Sequence, residues 1–180
     1  MSDKITYTGE QLRSNFAYSA FDIIGDSIVA FRGPCDVKRS AMADIEDLKA
    51  GNRIYSEDML HFIIEHHDTD LEKNVLRQLL LINLVKDAMN RQIGGLAVTR
   101  KHTDLFDDDS KLSVSVATVT PISSLIHIGI NISSHNTPVK TKGLADYGID
   151  PMSFADSVTQ DYVKEVDKIY TLRCKVNWMK

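Results

Sequence analysis

Residues 111–131 read KLSVSVATVTPISSLIHIGIN. Two β-rich runs flank a short break at Pro121-Ile-Ser-Ser. In the first run, residues 111–120, strict alternation puts Lys111, Ser113 and Ser115 on one face and Leu112, Val114 and Val116 on the other. In the second, residues 124–133, Ile126, Ile128 and Ile130 share one face while His127, Gly129 and Asn131 share its opposite. The link is too short for a crossover, so the two runs are expected to form an antiparallel hairpin.

Working outward, residues 71–91 carry Val75, Leu79, Ile82, Val85 and Met89 at helical spacing, with Gly94-Gly95 as the stop. That stripe is the face a helix buries against a sheet, not a partner-binding face. Residues 58–66 alternate as a strand, with Leu60, Phe62 and Ile64 opposite His61, Ile63 and Glu65. Residues 96–100 read as a short strand and residues 103–110 as an acidic turn. Residues 136–142 form a polar loop. Asp150-Pro151 starts a helix over residues 151–169, and residues 172–176 close with a short strand.

At the other end, residues 1–18 suggest an initial strand and turn. Residues 21–32 suggest a hairpin about Gly25-Asp26. Gly33-Pro34 should break that strand, and residues 40–50 should form a short helix ending at Gly51. The expected fold is α+β: one domain over residues 1–180, a mixed, mostly antiparallel sheet with helices packed on it.

A chain of 180 residues, 43% hydrophobic and 26% charged, can bury a core of its own. A formal charge of −4 argues against a general nucleic-acid or membrane binder. Cys35 and Cys174 show no disulfide or zinc spacing and read as free thiols. The start of the chain has no apolar signal region, and no apolar stretch approaches membrane-spanning length, which points to a cytoplasmic protein.

The order helix, strand, acidic turn, lysine-led strand, glycine-asparagine strand, helix resembles the catalytic domain of biotin and lipoate protein ligases over residues 71–169. Thr103-Asp104-Leu105-Phe106 stands where biotin ligases have Pro-Asn-Asp. Lys111-Leu-Ser-Val-Ser115 stands where they have Lys-Leu-Ala-Gly-Ile, and residues 127–132 resemble their Ile-Gly-x-Gly-Ile-Asn strand. Residues 31–36, with one arginine and one glycine, take the place of a glycine/arginine-rich ligand loop. The whole chain also resembles an uncharacterised microbial family known only as a domain of unknown function.

The resemblance implies activation of a carboxylate by ATP with magnesium, followed by transfer to an acceptor such as a carrier protein. Lys111 would then stabilise charge between two anions, and Asp104 would orient it or hold a ribose or magnesium. Ser113, Ser115, His127, Gly129 and Asn131 would line the ligand site. Arg32, expected on a loop beside Gly33, would grip a carboxylate or phosphate. Read without the resemblance, Lys111 is a solvated strand-end lysine and the aspartates a solvated turn.

His61, His66 and His67 lack metal-ligand spacing, and a solvated histidine-rich strand end is the expected reading. Two functions compete: an acid-activating ligase or acyltransferase, and a module that binds a small anion or nucleotide without turnover. A free β edge after Val176 would also allow a homodimer.

Overall fold

The computed structural model describes residues 4–51 and 53–179. The expected hairpin is its backbone. β6 (Ser113–Val119) pairs antiparallel with β7 (Ser124–Asn131), and Val119 faces Ser124 across the turn. β7 pairs with β2 (Ile54–His66), and β2 with β1 (Ser27–Val37), giving a four-stranded antiparallel sheet of order β1-β2-β7-β6. β3 (Val98–Lys101), β4 (Asp104–Asp107) and β5 (Ser110–Lys111) make a second, three-stranded sheet.

The two faces of the large sheet are covered differently. Leu60, Phe62 and Ile64 of β2 and Ile126, Ile128 and Ile130 of β7 pack on helices α3 (Leu71–Ile93) and α4 (Pro151–Cys174) in the main core. The other face carries a smaller core of Tyr7, Phe16, Phe31, Met59 and Ile63. Its cover is the N-terminal segment with helix α1 (Phe16–Phe21). Glu65 fastens this cover by accepting the Asn15 N–H at 2.9 Å on both carboxylate oxygens.

Helix α3 starts where Asp70 accepts the Lys73 N–H, and stops where Gly94 takes φ 77°. The buried face is turned slightly from the stripe read in the sequence. Val75 is exposed, while Asn74 and Gln78 are buried. Asn74 donates to the carbonyls of Thr118 and Leu125, and Gln78 to Ser115 Oγ, so these polar groups stitch the helix to the hairpin.

Several local expectations are corrected. Gly33-Pro34 lies inside β1, at a register shift between Gly33 and Cys35. A bulge tolerates the missing proline N–H, and the Pro34 carbonyl accepts from Tyr7 N–H at 2.8 Å. Gly25-Asp26 precedes β1 and turns no hairpin. Residues 40–50 split into a single 3-10 turn, Arg39–Ala41, and helix α2 (Ile45–Ala50). The acidic turn is strands β4 and β5. Helix α4 continues to Cys174 and residues 175–179 form no strand, so the β edge invoked for a dimer does not exist there. Among the described residues no helix is long and apolar enough to cross a membrane.

Candidate functional site

Two cavities open on the face of the large sheet away from α3 and α4, where helix α2 and the loop carrying Thr137 and Thr141 approach it. The first, of about 250 Å³, is lined by Tyr7, Asp44, Asp104, Lys111, Val116 and His127 among others. The second, of about 370 Å³, is lined among others by Arg53, Tyr55, Asn131, Thr137 and Thr141. Asp47, Ile54, Lys111 and Val114 line both. Lys111 therefore stands in the wall between two compartments.

The backbone of Lys111 is held from three sides. It pairs with Phe106 of β4, its N–H donates to the Lys140 carbonyl, and its own carbonyl accepts from Lys142 N–H at 3.2 Å. Asn131 Nδ2 also donates to that carbonyl at 3.3 Å. The ammonium ion-pairs with Asp104 at 2.6 Å, both side chains remaining partly exposed. Burial raises the Asp104 carboxyl above its ordinary range even against the neighbouring ammonium. Asp104 sits at the start of β4, so the two members of the pair come from two strands of the small sheet.

The alternation expected for Lys111, Ser113 and Ser115 fails here. The strand changes partner between Lys111 and Ser113, and Leu112 enters the main core. Ser113 then pairs with Ile130 and Ser115 with Ile128, on the helix side. Both serines border the cavities, but their hydroxyls are engaged within the protein. Ser113 Oγ accepts from Leu105 N–H, and Ser115 Oγ donates to the Thr103 carbonyl while accepting from Gln78. Val114 and Val116 take the cavity side.

His127, Gly129 and Asn131 do share the cavity-side face, as β7 alternation requires. His127 is 3% exposed. Its Nε2 lies 3.1 Å from Nδ1 of His61, whose Nε2 lies 3.2 Å from the Gly33 carbonyl oxygen. Tyr7 stacks on the His127 ring at 3.7 Å between centroids. Burial depresses both imidazoles, His61 to about 4 and His127 well below its ordinary value, so both are neutral near pH 7. At Gly129, a Cβ would meet Met59 Cε at 2.9 Å, so the space the glycine leaves is filled by Met59.

Arg32 and Gly33 are not brought to the cavities. Arg32 lies within β1, not on a loop, and its guanidinium forms a close two-pronged ion pair with Asp58. At Gly33 a Cβ would collide with the Ile5 carbonyl oxygen, so the glycine admits the N-terminal segment beside β1. The histidines of β2 are not a solvated strand end either. His61 and His66 are buried, and His66 bridges Asp26 and the Tyr162 hydroxyl at 2.9 Å each. Sequence reasoning did not single out Tyr7, Asp47, Arg53 or the threonines. Each reaches the site through a contact between distant segments, and none has a local signature.

The fold has relatives among solved structures. A protein of unknown function from Pyrococcus horikoshi superposes with a TM-score of 0.92 at 37% identity, over 100% of this chain and 96% of that one. A biotin protein ligase from Aquifex aeolicus, in complex with biotin and ATP, gives 0.60 at 12% identity over 93% and 72%. A putative lipoate protein ligase from T. acidophilum with bound lipoic acid gives 0.58 at 10% over 92% and 86%. At such identities the ligases share the fold: an α+β domain of the biotin/lipoate ligase type. An uncharacterised protein of Methanocaldococcus jannaschii is 38% identical over 176 residues, 94% of this chain and 79% of that protein. Residues 1–177 match the domain of unknown function DUF366, and the chain belongs to that family.

Proposed function

We propose that the protein activates a small carboxylic acid with ATP. The observation that carries this reading is the place of Lys111 in the wall common to two cavities. Joining two anions requires a cation between them, rigidly placed. The carboxylate would lie in the smaller cavity. The nucleotide would lie in the larger, where Arg53 and Lys111 stand against Asp47, the one carboxylate among its described lining residues. A carboxylate oxygen attacks the α-phosphorus, the bond from that phosphorus to the bridging oxygen breaks, and pyrophosphate leaves with the electron pair. Lys111 offsets the charge growing on the α-phosphate. Asp104 positions the ammonium, and Asn131 holds the Lys111 backbone. Transfer of the acyl group to a carrier protein or another acceptor would follow.

Among the described residues no three His, Cys, Asp or Glu side chains are grouped to hold a metal ion. A magnesium ion would then be held mainly by the phosphates, with Asp47 as the carboxylate common to both cavities. Its chemistry when bound is to neutralise phosphate charge.

The test is ATP–pyrophosphate exchange across a panel of acids including biotin, lipoate and octanoate, with magnesium. Exchange should need an acid and fall about 10²- to 10³-fold in Lys111→Ala. Full exchange in that variant would sink the assignment.

A second reading, binding of a small anion or nucleotide without turnover, draws on Arg32. That arginine is tied to Asp58, which leaves a phosphate fewer cations to meet. Heat stabilisation by one ligand with no exchange under any acid would favour it.

A further inference from the structure

The two cavities differ in charge. Asp44, Glu46, Asp47 and Asp104 line the smaller one, against Lys111 as the one lysine or arginine among its described lining residues. Asp44 also caps helix α2 by accepting the N–H groups of Glu46 and Asp47, and Asp104 holds Lys111. Neither role removes their charge. An alkyl acid, whose only charged group is its carboxylate, would enter against this field.

His127 adds a directional requirement from an independent observation. The Gly33 carbonyl can only accept, so His61 Nε2 carries the proton of that neutral ring and its Nδ1 is bare. His127 Nε2 must therefore donate to it across 3.1 Å. This leaves His127 Nδ1 as an unprotonated acceptor, without a hydrogen-bond partner among the described residues, on a ring that is 3% exposed and lines the cavity. The stacked Tyr7 ring hinders the imidazole from turning over. His127 lines the smaller cavity, where a donor on a bound ligand can meet this acceptor.

We infer that the acid taken into the smaller cavity carries a protonated amine. Its carboxylate meets Lys111 at the shared wall, while its ammonium lies among the carboxylates and donates to His127. The inference rests on the acid-activating reading of the same site and narrows its substrate class to amino acids or longer amine-bearing acids.

The experiment is calorimetric titration of the full chain with hexanoate, norleucine and aminohexanoate bearing its amine on the terminal carbon. Each acid is tested with ATP and magnesium, and exchange is measured in parallel. At least one amine-bearing acid should bind about tenfold or more tightly than hexanoate, the worth of a charge-assisted hydrogen bond. His127→Phe keeps an aromatic ring under Tyr7 and deletes the acceptor, and should abolish most of that margin. Glu46→Gln, at an exposed position, should shrink it without affecting the fold, so the idea stays testable if the histidine variant does not fold. Equal or tighter binding of hexanoate overturns the inference, as does an amine preference untouched in both variants. Hexanoate-dependent exchange with no amine preference removes the inference and leaves acid activation standing. Amine-selective binding without exchange does the reverse.

Discussion

Two faces of one strand, β7, carry opposite solutions to burial. Ile126, Ile128 and Ile130 point into the helix-side core and are fully buried among apolar neighbours. His127 and Asn131, one residue out of phase, are also almost fully buried, but against polar partners and cavities. On the first face burial is stabilised by area and packing, which tolerate any well-fitting apolar shape. On the second, burying polar groups costs free energy unless each finds a partner. His127, whose burial is offset by its bond with His61, is the buried histidine that lines a cavity, and the proposed site lies on that face.

The comparison can be broken at four points. Lys111→Ala should lower acid-dependent exchange by about 10²- to 10³-fold. Its ion pair with Asp104 is partly exposed, so stability in urea should change by less than about 1 kcal/mol. A collapse of the fold would place this lysine with the structural residues instead.

Ile128→Ala should do the opposite. It should cost about 3 kcal/mol of stability through lost burial and a cavity, while the exchange activity of the folded fraction survives. Loss of activity in a fully folded variant would mean that the two faces are coupled.

Acid pH tests the polar face directly. His61 is neutral in the fold, with its pKa depressed to about 4, and unfolding restores its ordinary value near 6.5. The unfolded chain thus binds the extra proton between those values. Stability is full above about pH 6.5 and falls as pH drops toward 4, by about 3 kcal/mol for this one group. His61→Gln should flatten the unfolding free energy measured across that window. An unchanged slope would show that His61 is not buried neutral.

The smallest effect belongs to the polar exception on the helix side. His66 Nδ1–H donates to Asp26, and its Nε2 accepts from the Tyr162 hydroxyl. Tyr162→Phe leaves that nitrogen without its donor and should cost about 1 to 2 kcal/mol in denaturant unfolding. No cost at all would mean that a water takes the place of the hydroxyl.

Local pattern carried much of the fold. The 124–133 run reads correctly because Ile126, Ile128 and Ile130 alternate strictly with His127, Gly129 and Asn131, and period two has one structural meaning. The 71–91 helix reads correctly because its helical spacing and its Gly94 stop agree, while the Asp70 cap and the burial of Asn74 and Gln78 in place of Val75 came only with the structure. The errors are of another kind. Pro34 was expected to end a strand, but a bulge absorbs it. Residues 172–176 were too few to distinguish a strand from the exposed last turn of α4, which holds 172–174, and the strandless residues after it. For Arg32, nothing nearby in sequence announces Asp58, which lies across the β1–β2 pair.

For the site the division is sharper. The sequence by itself determined the large sheet's hairpin, the long helix packed on it, and the β7 face that carries His127, Gly129 and Asn131, because each depends on residues a few positions apart. It also determined that Lys111 and Asp104 stand near each other along the chain. Only the tertiary structure decided that Lys111 lies between two cavities, that Ser113 and Ser115 turn to the helices, and that Tyr7 meets His127 across the sheet. Those depend on a change of strand partner at Leu112 and on where the N-terminal segment lies, and neither leaves a periodic trace in the order of the amino acids.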